Sequence, residues 1–284
     1  MRSTVPRLLR QFLIILLLTV ASSQSCLGAT LFDHSLSLFQ AKAQKVSPAD
    51  YTFVVLGDSR DNEPVFRKAL AVAASYDPLF IVHGGDYSSR GGSAETEDFL
   101  SLLRETVPDL PVFVVPGNHE TRSVFTQKVG PLRFTLDSER LGLTFVAVDN
   151  SDYVLRKGEV EYLRAAVNAA RGSAYVMMHV PPKTERWNWH TFSDGADDLK
   201  KILALGKVQA AFFSHVHLYD RHSYGGVPSY ITGGGGAPLV LFGFPGDPVF
   251  HILVVRVQGG KGTVTKVELP DAEQTEPPPR KQAK

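Results

Sequence analysis

The sequence predicts an α/β fold, in which strands and helices alternate and helices cover a largely parallel sheet. Three observations support this prediction. Six apolar runs of strand length recur between residues 51 and 213, helical patterns separate most of them, and shorter strands joined by glycine and proline follow. At 284 residues, 43% of them hydrophobic, the chain is long enough to bury a full-sized core.

The predicted elements follow a regular order along the chain. The first six strands are Tyr51–Leu56, Leu79–His83, Val112–Val115, Leu143–Val148, Tyr175–Met178 and Ala210–Phe213. The helices are Glu63–Ser75, Glu95–Thr106, Gly158–Arg171 and Asp197–Leu205. Additional antiparallel strands are predicted at Tyr219–Tyr224, Pro228–Thr232, Phe250–Val257 and Gly262–Leu269.

The two ends of the chain differ from this central part. Residues 1–29 are typical of a cleavable signal peptide, because arginines precede an apolar run from Phe12 to Val20 and small residues follow it. We therefore expect an exported protein, periplasmic or secreted, with an uncleaved membrane anchor as the alternative. Residues 30–50 are expected to be a lead-in, residues 51–269 a single domain, and the proline-rich residues 270–284 a disordered tail.

The composition excludes two classes of protein. Lysine and arginine number 30 against 29 aspartate and glutamate, so no overall basic charge draws nucleic acid to the surface. We expect no nucleic-acid surface, and membrane contact only through the N-terminal segment if it is retained. The single cysteine, Cys26, cannot form an internal disulfide, which excludes a disulfide scaffold.

Polar residues directly follow five of the predicted strands. The clusters are Asp58-Ser59-Arg60, Gly85-Asp86, Gly117-Asn118-His119-Glu120, His179, and Ser214-His215-Val216-His217. Because the carboxyl ends of parallel strands share one edge of a sheet, we expect these clusters to converge in space.

The converged side chains are suited to binding divalent metal ions. Two carboxylates, one amide oxygen and three imidazoles, without a thiolate, favour Mn²⁺, Fe²⁺ or Zn²⁺. Six ligands are too many for one ordinary site, so two adjacent ions are expected. Such a pair activates water for an in-line phosphoryl displacement, which favours hydrolysis of a phosphoester. The six candidate ligands are Asp58, Asp86, Asn118, His179, His215 and His217.

These residues resemble the signature of the calcineurin-like metallophosphoesterase superfamily. The family signature is Asp-x-His, Gly-Asp, Gly-Asn-His-Asp/Glu, a lone His and Gly-His-x-His. Its elements correspond here, in the same order and over roughly residues 51–269, to Asp58, Gly85-Asp86, Gly117-Asn118-His119-Glu120, His179 and His215-Val216-His217. The resemblance implies a four-layer α/β/β/α sandwich with two mixed β-sheets. It also implies a metal-dependent phosphoric ester hydrolase. The substrate would be a phosphorylated small molecule, either a phosphate monoester or a phosphate diester.

The resemblance further implies a role for each site residue. Asp86 would bridge the two metal ions, and His119 would protonate the leaving oxygen as a general acid, with a metal-activated water as the nucleophile. The other ligands would divide into two sets, Asp58 and His217 for the first ion and Asn118, His179 and His215 for the second.

Two residues depart from the family pattern. Arg60 replaces the histidine of Asp-x-His, and a guanidinium stays protonated and cannot bind a metal. The first metal site is therefore short of one ligand. Three outcomes are open: water, Asp61 or Asn62 takes the place of the histidine, the site binds metal weakly, or the site is empty. Arg60 itself would either grip a substrate phosphate or form a structural ion pair. Ser214 replaces the glycine before the histidine pair and is not expected to alter metal binding.

Two other functions fit part of the pattern. A catalytically weakened protein of the same fold would bind a phosphorylated ligand or partner, and Arg60 keeps this alternative open. A different two-metal hydrolase, such as an aminopeptidase, would need more carboxylates and fewer histidines. The leading prediction is an exported, metal-dependent phosphoesterase.

Overall fold

The computed structural model describes residues 28–269 and Ala272. Residues 1–27 of the predicted signal peptide lie outside the described residues, as does the predicted tail except for Ala272. Within the described part of the chain, no helix is both long and apolar enough to cross a membrane.

A first sheet of five strands is formed from both ends of the described chain. Its strands are β1 (Asp50–Leu56), β2 (Ile81–His83), β3 (Val112–Val114), β10 (His251–Gln258) and β11 (Lys261–Glu268). Their order across the sheet is β11-β10-β1-β2-β3. The first three strands are parallel, whereas β10 and β11 are antiparallel to their neighbours, so the sheet is mixed.

A second, six-stranded sheet is formed from the middle of the chain. Its strands are β4 (Phe134–Ser138), β5 (Leu143–Ala147), β6 (Ser173–Met177), β7 (Val208–Phe213), β8 (Tyr219–Tyr224) and β9 (Val227–Thr232). Their order is β4-β5-β6-β7-β9-β8. The first sequence prediction, one largely parallel sheet, is wrong. The expected antiparallel pairing holds for β8 with β9, and for β10 and β11 in the first sheet. It does not hold between β9 and β7, because the hairpin β8–β9 returns its second strand parallel to β7.

Six α-helices accompany the two sheets in the described residues, and a short 3-10 helix, Glu139–Leu141, lies between β4 and β5. The α-helices are α1 (Leu31–Ala43), α2 (Glu63–Ala74), α3 (Ser93–Thr106), α4 (Arg122–Lys128), α5 (Lys157–Ala169) and α6 (Ala196–Leu203). The sequence predicted α2, α3, α5 and α6 to within a few residues. It did not predict α1, α4 or the edge strand β4.

Three apolar cores stack the elements into four layers. Phe53 on β1 and Phe145 on β5 meet between the two sheets, with ring centroids 5.8 Å apart. Because side chains alternate along a strand, Val54 faces the other way, into the core under α2 and α3. Val146 likewise joins the core under α5 and α6. The four-layer α/β/β/α sandwich with two mixed sheets is confirmed.

Helix α1 closes one edge of the first sheet. Thr30 and Asp33 cap its start reciprocally, since each side chain accepts a hydrogen bond from the other residue's backbone N–H. The Ser35 hydroxyl, one turn further on, accepts from the N–H of Val112 on β3 at 3.0 Å and donates to its carbonyl at 2.8 Å. Phe39 continues into the core between the sheets. The edge groups of β3 at Val112 are therefore paired within the molecule.

Candidate metal centre

The six predicted ligands lie in loops at the carboxyl ends of five parallel strands, three from the first sheet and two from the second. These loops follow β1 (Asp58), β2 (Asp86), β3 (Asn118), β6 (His179) and β7 (His215 and His217). The two sheets face each other, so the loops meet at one end of the sandwich. The predicted convergence therefore occurs across two sheets, rather than along one edge of a single sheet.

Three of these residues adopt a left-handed backbone that is uncommon outside glycine. The φ angles are 57° at Asp58, 56° at Asp86 and 70° at His215. Such conformations cost on the order of 1–3 kcal/mol each and concentrate at functional sites. Gly117 permits the close approach of two of the loops, because a Cβ there would lie 2.1 Å from Oδ1 of Asp86. The backbone is therefore strained at Asp58, Asp86 and His215, where it directs these side chains toward one point.

The first group of candidate ligands comprises Asp86, His179 and His215, with Asn118 beside them. Nε2 of His179 is 2.9 Å from Oδ1 of Asn118 and 3.2 Å from Nδ1 of His215. The same nitrogen is 3.5 Å from Oδ1 of Asp86. All four side chains thus surround one small space.

The hydrogen bond made by the other ring nitrogen fixes the tautomer of His179. Its Nδ1 donates to the carbonyl oxygen of Gly84 at 2.7 Å, so Nε2 carries a lone pair. That lone pair faces oxygens of Asn118 and Asp86, which are acceptors as well. Acceptors packed this closely repel one another unless a cation lies among them, and the donor set therefore fits a divalent metal ion.

The second group comprises Asp58, Asp86 and His217. Nδ1 of His217 donates to the Pro238 carbonyl at 2.7 Å, so its Nε2 carries the lone pair and lies 3.6 Å from Oδ1 of Asp58. Oδ2 of Asp58 accepts the backbone N–H of His215 at 2.9 Å, whereas Oδ1 is buried without a hydrogen-bond partner. A buried, unpaired carboxylate oxygen beside a lone pair also fits a cation. Asp86 is common to both groups.

Burial dominates the electrostatics of the candidate ligands. It raises the pKa of Asp58 well above its usual range, and the neighbouring charge of Asp86 raises it further. Burial also lowers the pKa of His215 to about 2 and that of His217 to about 4, so both imidazoles are neutral near pH 7. A positive ion among these groups would relieve the repulsion between the two buried carboxylates.

Glu120 ties together two of the ligand loops, a contact that the sequence analysis missed. Its Oε2 accepts backbone N–H groups from Asp86 at 2.8 Å and from Gly117 at 2.7 Å. Its Oε1 accepts from the Ser88 hydroxyl at 3.0 Å. One carboxylate thus links the loops that carry Asp86 and Asn118. The motif that contains Glu120 was noted, but no role was predicted for its last residue.

His119 and Arg60 both line a cavity of about 190 Å³ over the candidate ligands. Nδ1 of His119 lies 2.8 Å from the carbonyl of Ser89 and donates to it, which leaves Nε2 free to act on a ligand. The Arg60 guanidinium pairs with Asp61 at 2.6 Å, while its buried Nε has no hydrogen-bond partner. The predicted structural ion pair is therefore present, and the guanidinium also reaches the cavity.

The two residues named as replacements for the missing histidine are engaged elsewhere. Asp61 accepts hydrogen bonds from Arg60 and from the Ser89 hydroxyl. Asn62 caps α2 by accepting the N–H of Val65 at 3.3 Å. Asp61 does not belong to the group formed by Asp58, Asp86 and His217.

Tyr153 and His190 also line the cavity, and the sequence analysis did not include either. The Tyr153 hydroxyl is 2.8 Å from Nε2 of His215, and the His190 ring centroid is 5.4 Å from that of His215. A signal for Tyr153 was present, because Asp149-Asn150-Ser151-Asp152 follows a predicted strand as the other polar clusters do. His190 lies in a long loop, where no strand end marks it.

A family model supplies the decisive comparison, because the model of calcineurin-like phosphoesterases matches residues 51–219. This range covers more than half of the chain and contains every candidate ligand. The chain belongs to the calcineurin-like phosphoesterase family. The resemblance found in the sequence is thereby confirmed, and the family supports the predicted enzyme class, a metal-dependent phosphoric ester hydrolase. No curated protein matches the sequence.

Solved structures of this family share the fold at low sequence identity. Purple acid phosphatase PPD1 from yellow lupin (Lupinus luteus) seeds is 14% identical with a TM-score of 0.65, over 80% of this chain and 53% of that one. A dimetal phosphatase from Danio rerio is 12% identical with a TM-score of 0.56, over 78% of this chain and 100% of that one.

A third similar structure is described by a structural role. GAP50, the anchor in the inner membrane complex of Plasmodium, is 13% identical with a TM-score of 0.60, over 80% of this chain and 87% of that one. At such identities the likeness shows the fold alone. This calcineurin-like chain also spans only about half of the lupin enzyme, at 53%.

Proposed function

We propose that this protein hydrolyses a monoester or diester of a phosphorylated small molecule with the help of two divalent cations, Mn²⁺, Fe²⁺ or Zn²⁺. The observation that carries the proposal is that Asp86 belongs to two groups of candidate ligands at once. When bound, such a pair of cations supplies an activated water and neutralises phosphate charge. The proposed ligands are Asp58, Asp86 and His217 for one cation and Asp86, Asn118, His179 and His215 for the other.

His119 is the proposed general acid. Its Nδ1 is held by the Ser89 carbonyl, so its Nε2 can hold a proton toward the cavity and give it to the leaving oxygen. The side chain is 31% exposed, which leaves room for a substrate beside the ring.

Arg60 is proposed to bind the phosphate. Its Nε is buried without a hydrogen-bond partner, and its side chain borders the cavity that contains His119. A guanidinium matches two phosphate oxygens, so the arginine would hold substrate where other family members place a metal ligand.

The test measures metal content and turnover of the same purified protein. We expect about two divalent ions per chain and Mn²⁺-supported hydrolysis of chromogenic phosphate monoesters or diesters. His119→Ala should lower kcat by about 100-fold or more while metal content stays the same, because a lost general acid costs that much. His34→Ala, an exposed change on α1, is the control and should alter neither quantity.

One result would favour a different function. Bound metal without turnover of any ester would contradict the proposed hydrolysis. It would indicate a family member that binds a phosphorylated ligand through Arg60, which stands in place of the family's usual histidine.

Export is a separate proposal, based on the basic, apolar and small-residue order of residues 1–29. We expect the mature protein to begin after Ser23, Ser25 or Ala29. N-terminal sequencing of protein recovered from outside the cytoplasm would check this. An intact N-terminus on a protein confined to the cytoplasm would contradict it.

A further inference from the structure

Exposed apolar side chains are concentrated around the mouth of the catalytic cavity. Six large apolar side chains are exposed in the described residues, and four of them belong to segments that border this cavity. Tyr153 lines the cavity itself, Trp189 contacts the His190 ring at a centroid distance of 3.8 Å, and the other two directly follow Val240. We call these four side chains the apolar rim: Tyr153, Trp189, Leu241 and Phe242.

The loop that carries Leu241 and Phe242 is held at both of its stems. At one stem the Val240 N–H donates to the His217 carbonyl at 3.0 Å. At the other, Asp247 and Tyr219 exchange two backbone hydrogen bonds, of 2.7 and 2.9 Å. Between the stems, residues 241–246 contain no charged side chain, and Phe242 is 87% exposed. The stems therefore hold this apolar tip near His217.

The loop that carries Trp189 is fixed in a similar way. Arg186 makes two hydrogen bonds to the Asp220 carboxylate, both of 2.7 Å, and the Trp187 ring nitrogen donates to the same carboxylate at 2.7 Å. Trp187 is fully buried by this contact, whereas Trp189 remains 49% exposed. Exposed apolar groups grouped on fixed segments beside a site mark a surface that binds something apolar.

The side of the cavity toward Arg60 is more strongly charged than the rim. A second cavity of about 410 Å³ shares Arg60 in its lining, and five acidic side chains line it as well: Asp61, Glu63, Glu95, Asp98 and Glu105. Its apolar lining residues are buried, with Phe66, Tyr87, Phe99 and Leu102 each less than 9% exposed. An apolar group attached to a phosphate at the candidate metal centre would therefore be directed toward the rim. The exposed rings of Trp189 and Phe242 could also stack on a base, but Leu241 and Phe242 offer a base no hydrogen-bonding side chain, and the Tyr153 hydroxyl is bonded to His215.

We infer that the substrate is an amphiphilic phosphoester, in which a long alkyl group is esterified to the phosphate and lies against the apolar rim. This inference rests on the proposed function and names its substrate class. In the reaction, the oxygen of water forms a bond to phosphorus, a phosphorus–oxygen bond to an alcohol breaks, and that alcohol oxygen receives a proton. Hydrolysis of this kind needs no other reactant than water.

The test is a chain-length series of alkyl phosphates and alkyl 4-nitrophenyl phosphates, from ethyl to dodecyl, assayed below their critical micelle concentrations. We expect kcat/KM to rise at least tenfold from ethyl to dodecyl, which corresponds to about 1.4 kcal/mol. Phe242→Ser and Trp189→Ser should reduce this dodecyl-to-ethyl ratio several-fold. Leu205→Ser removes an exposed leucine outside the rim, 44% exposed against 49% for Trp189, and should leave the ratio unchanged.

A second arm identifies the source of the substrate. If the amphiphile is taken from a membrane, the protein sediments with phosphatidylcholine vesicles that contain hexadecyl phosphate, and Phe242→Ser does not. If it is taken from solution, the chain-length effect occurs without sedimentation. Either result supports the inference.

The inference and the proposed function fail in different ways. The inference is wrong if kcat/KM does not depend on chain length, or if Leu205→Ser lowers the dodecyl-to-ethyl ratio as much as Phe242→Ser does. Either result leaves the proposed hydrolysis intact. Absence of turnover for every ester overturns the proposed function instead. In that case calorimetry measures the affinity of the protein for dodecylphosphonate and for methylphosphonate. Tighter binding of dodecylphosphonate supports binding of an alkyl chain at the apolar rim, and equal binding overturns it.

Discussion

Asp86 is the single residue on which both groups of candidate ligands depend. Its two oxygens face different partners: Oδ1 lies 3.5 Å from Nε2 of His179, and Oδ2 lies 3.9 Å from Nε2 of His119. The backbone N–H of His119 donates to Oδ1 at 3.1 Å, and Glu120 holds the backbone of Asp86 itself. The carboxylate is thus oriented by neighbours that are not candidate ligands.

Replacement of Asp86 should therefore affect two ions, whereas replacement of Asp58 should affect one. We expect Asp86→Asn to lose most of both ions and Asp58→Asn to lose about one, because an amide lacks the negative charge that binds the cation. Elemental analysis of the dialysed proteins gives the metal content per chain.

The control for this pair is Asp109→Asn. Asp109 is exposed and precedes β3, so it lies at the end of that strand opposite Asn118, and the change should leave metal content as it was. Asp86→Asn protein that still holds two ions would contradict the bridging role.

The positions of the six candidate ligands in the fold could be predicted, because each follows a strand, but contacts between loops could not. Their role as metal ligands stays a prediction. The pairing of Arg60 with Asp61 and the link made by Glu120 depend on side-chain directions that no spacing determines. His190 was not predicted, because it lies eleven residues beyond His179 in a loop that comes back to the cavity.

At the scale of elements, His251 joins the start of β10 to the glycine loop after β9. Its backbone N–H donates to the Gly234 carbonyl at 3.0 Å, and its Nδ1 donates to the Val249 carbonyl at 2.9 Å. Nε2 is buried without a hydrogen-bond partner. Burial lowers the pKa of His251 to about 4 from an ordinary value near 6.5.

This buried histidine should make the protein sensitive to acid. His251 takes up a proton near pH 6.5 in the unfolded chain but only near pH 4 in the folded chain. Its contribution to the free energy of unfolding is therefore constant above about pH 6.5 and falls as the pH drops from 6.5 to 4. The loss at pH 5 amounts to about 2 kcal/mol for this one group. Urea unfolding gives the free energy of unfolding at pH 8 and pH 5. The difference between these two values should be smaller by about that amount in the His251→Phe variant than in the unchanged protein.

A matched change separates this effect from general acid sensitivity. His34→Phe places the same substitution at an exposed position on α1 and should keep the full difference between pH 8 and pH 5. If His251→Phe keeps it as well, the buried imidazole does not cause the acid sensitivity.

Elements with strong local patterns were predicted, and those defined by their surroundings were not. Strands β1 and β7 end in unbroken apolar runs, residues 53–56 and 210–213, and α2 begins with an asparagine cap and has a proline in its first turn. Helix α4 has only seven residues and β4 only five, and neither length is enough to show a helical or strand periodicity. Helix α1 precedes the first predicted strand and is stabilised by tertiary packing of Phe39.

At the scale of the whole molecule, periodicity could not show that the strands belong to two sheets. Both sheets contain parallel strands flanked by helices, and the connection from β3 to β4 passes from one sheet to the other without a change in pattern. The family resemblance supplied the sandwich, and the packing of Phe53 against Phe145 explains why it holds together. This arrangement lets candidate ligands from two sheets face one another.

The paired edge of β3 also limits how molecules can associate. An unpaired strand edge is a template for adding strands from other molecules, which leads to fibrous aggregates. Ser35 occupies the outward N–H and C=O of Val112, and the opposite edge strand, β11, carries charges at Lys261, Lys266 and Glu268. Even at high concentration, the first sheet should not extend from one copy of the protein to the next.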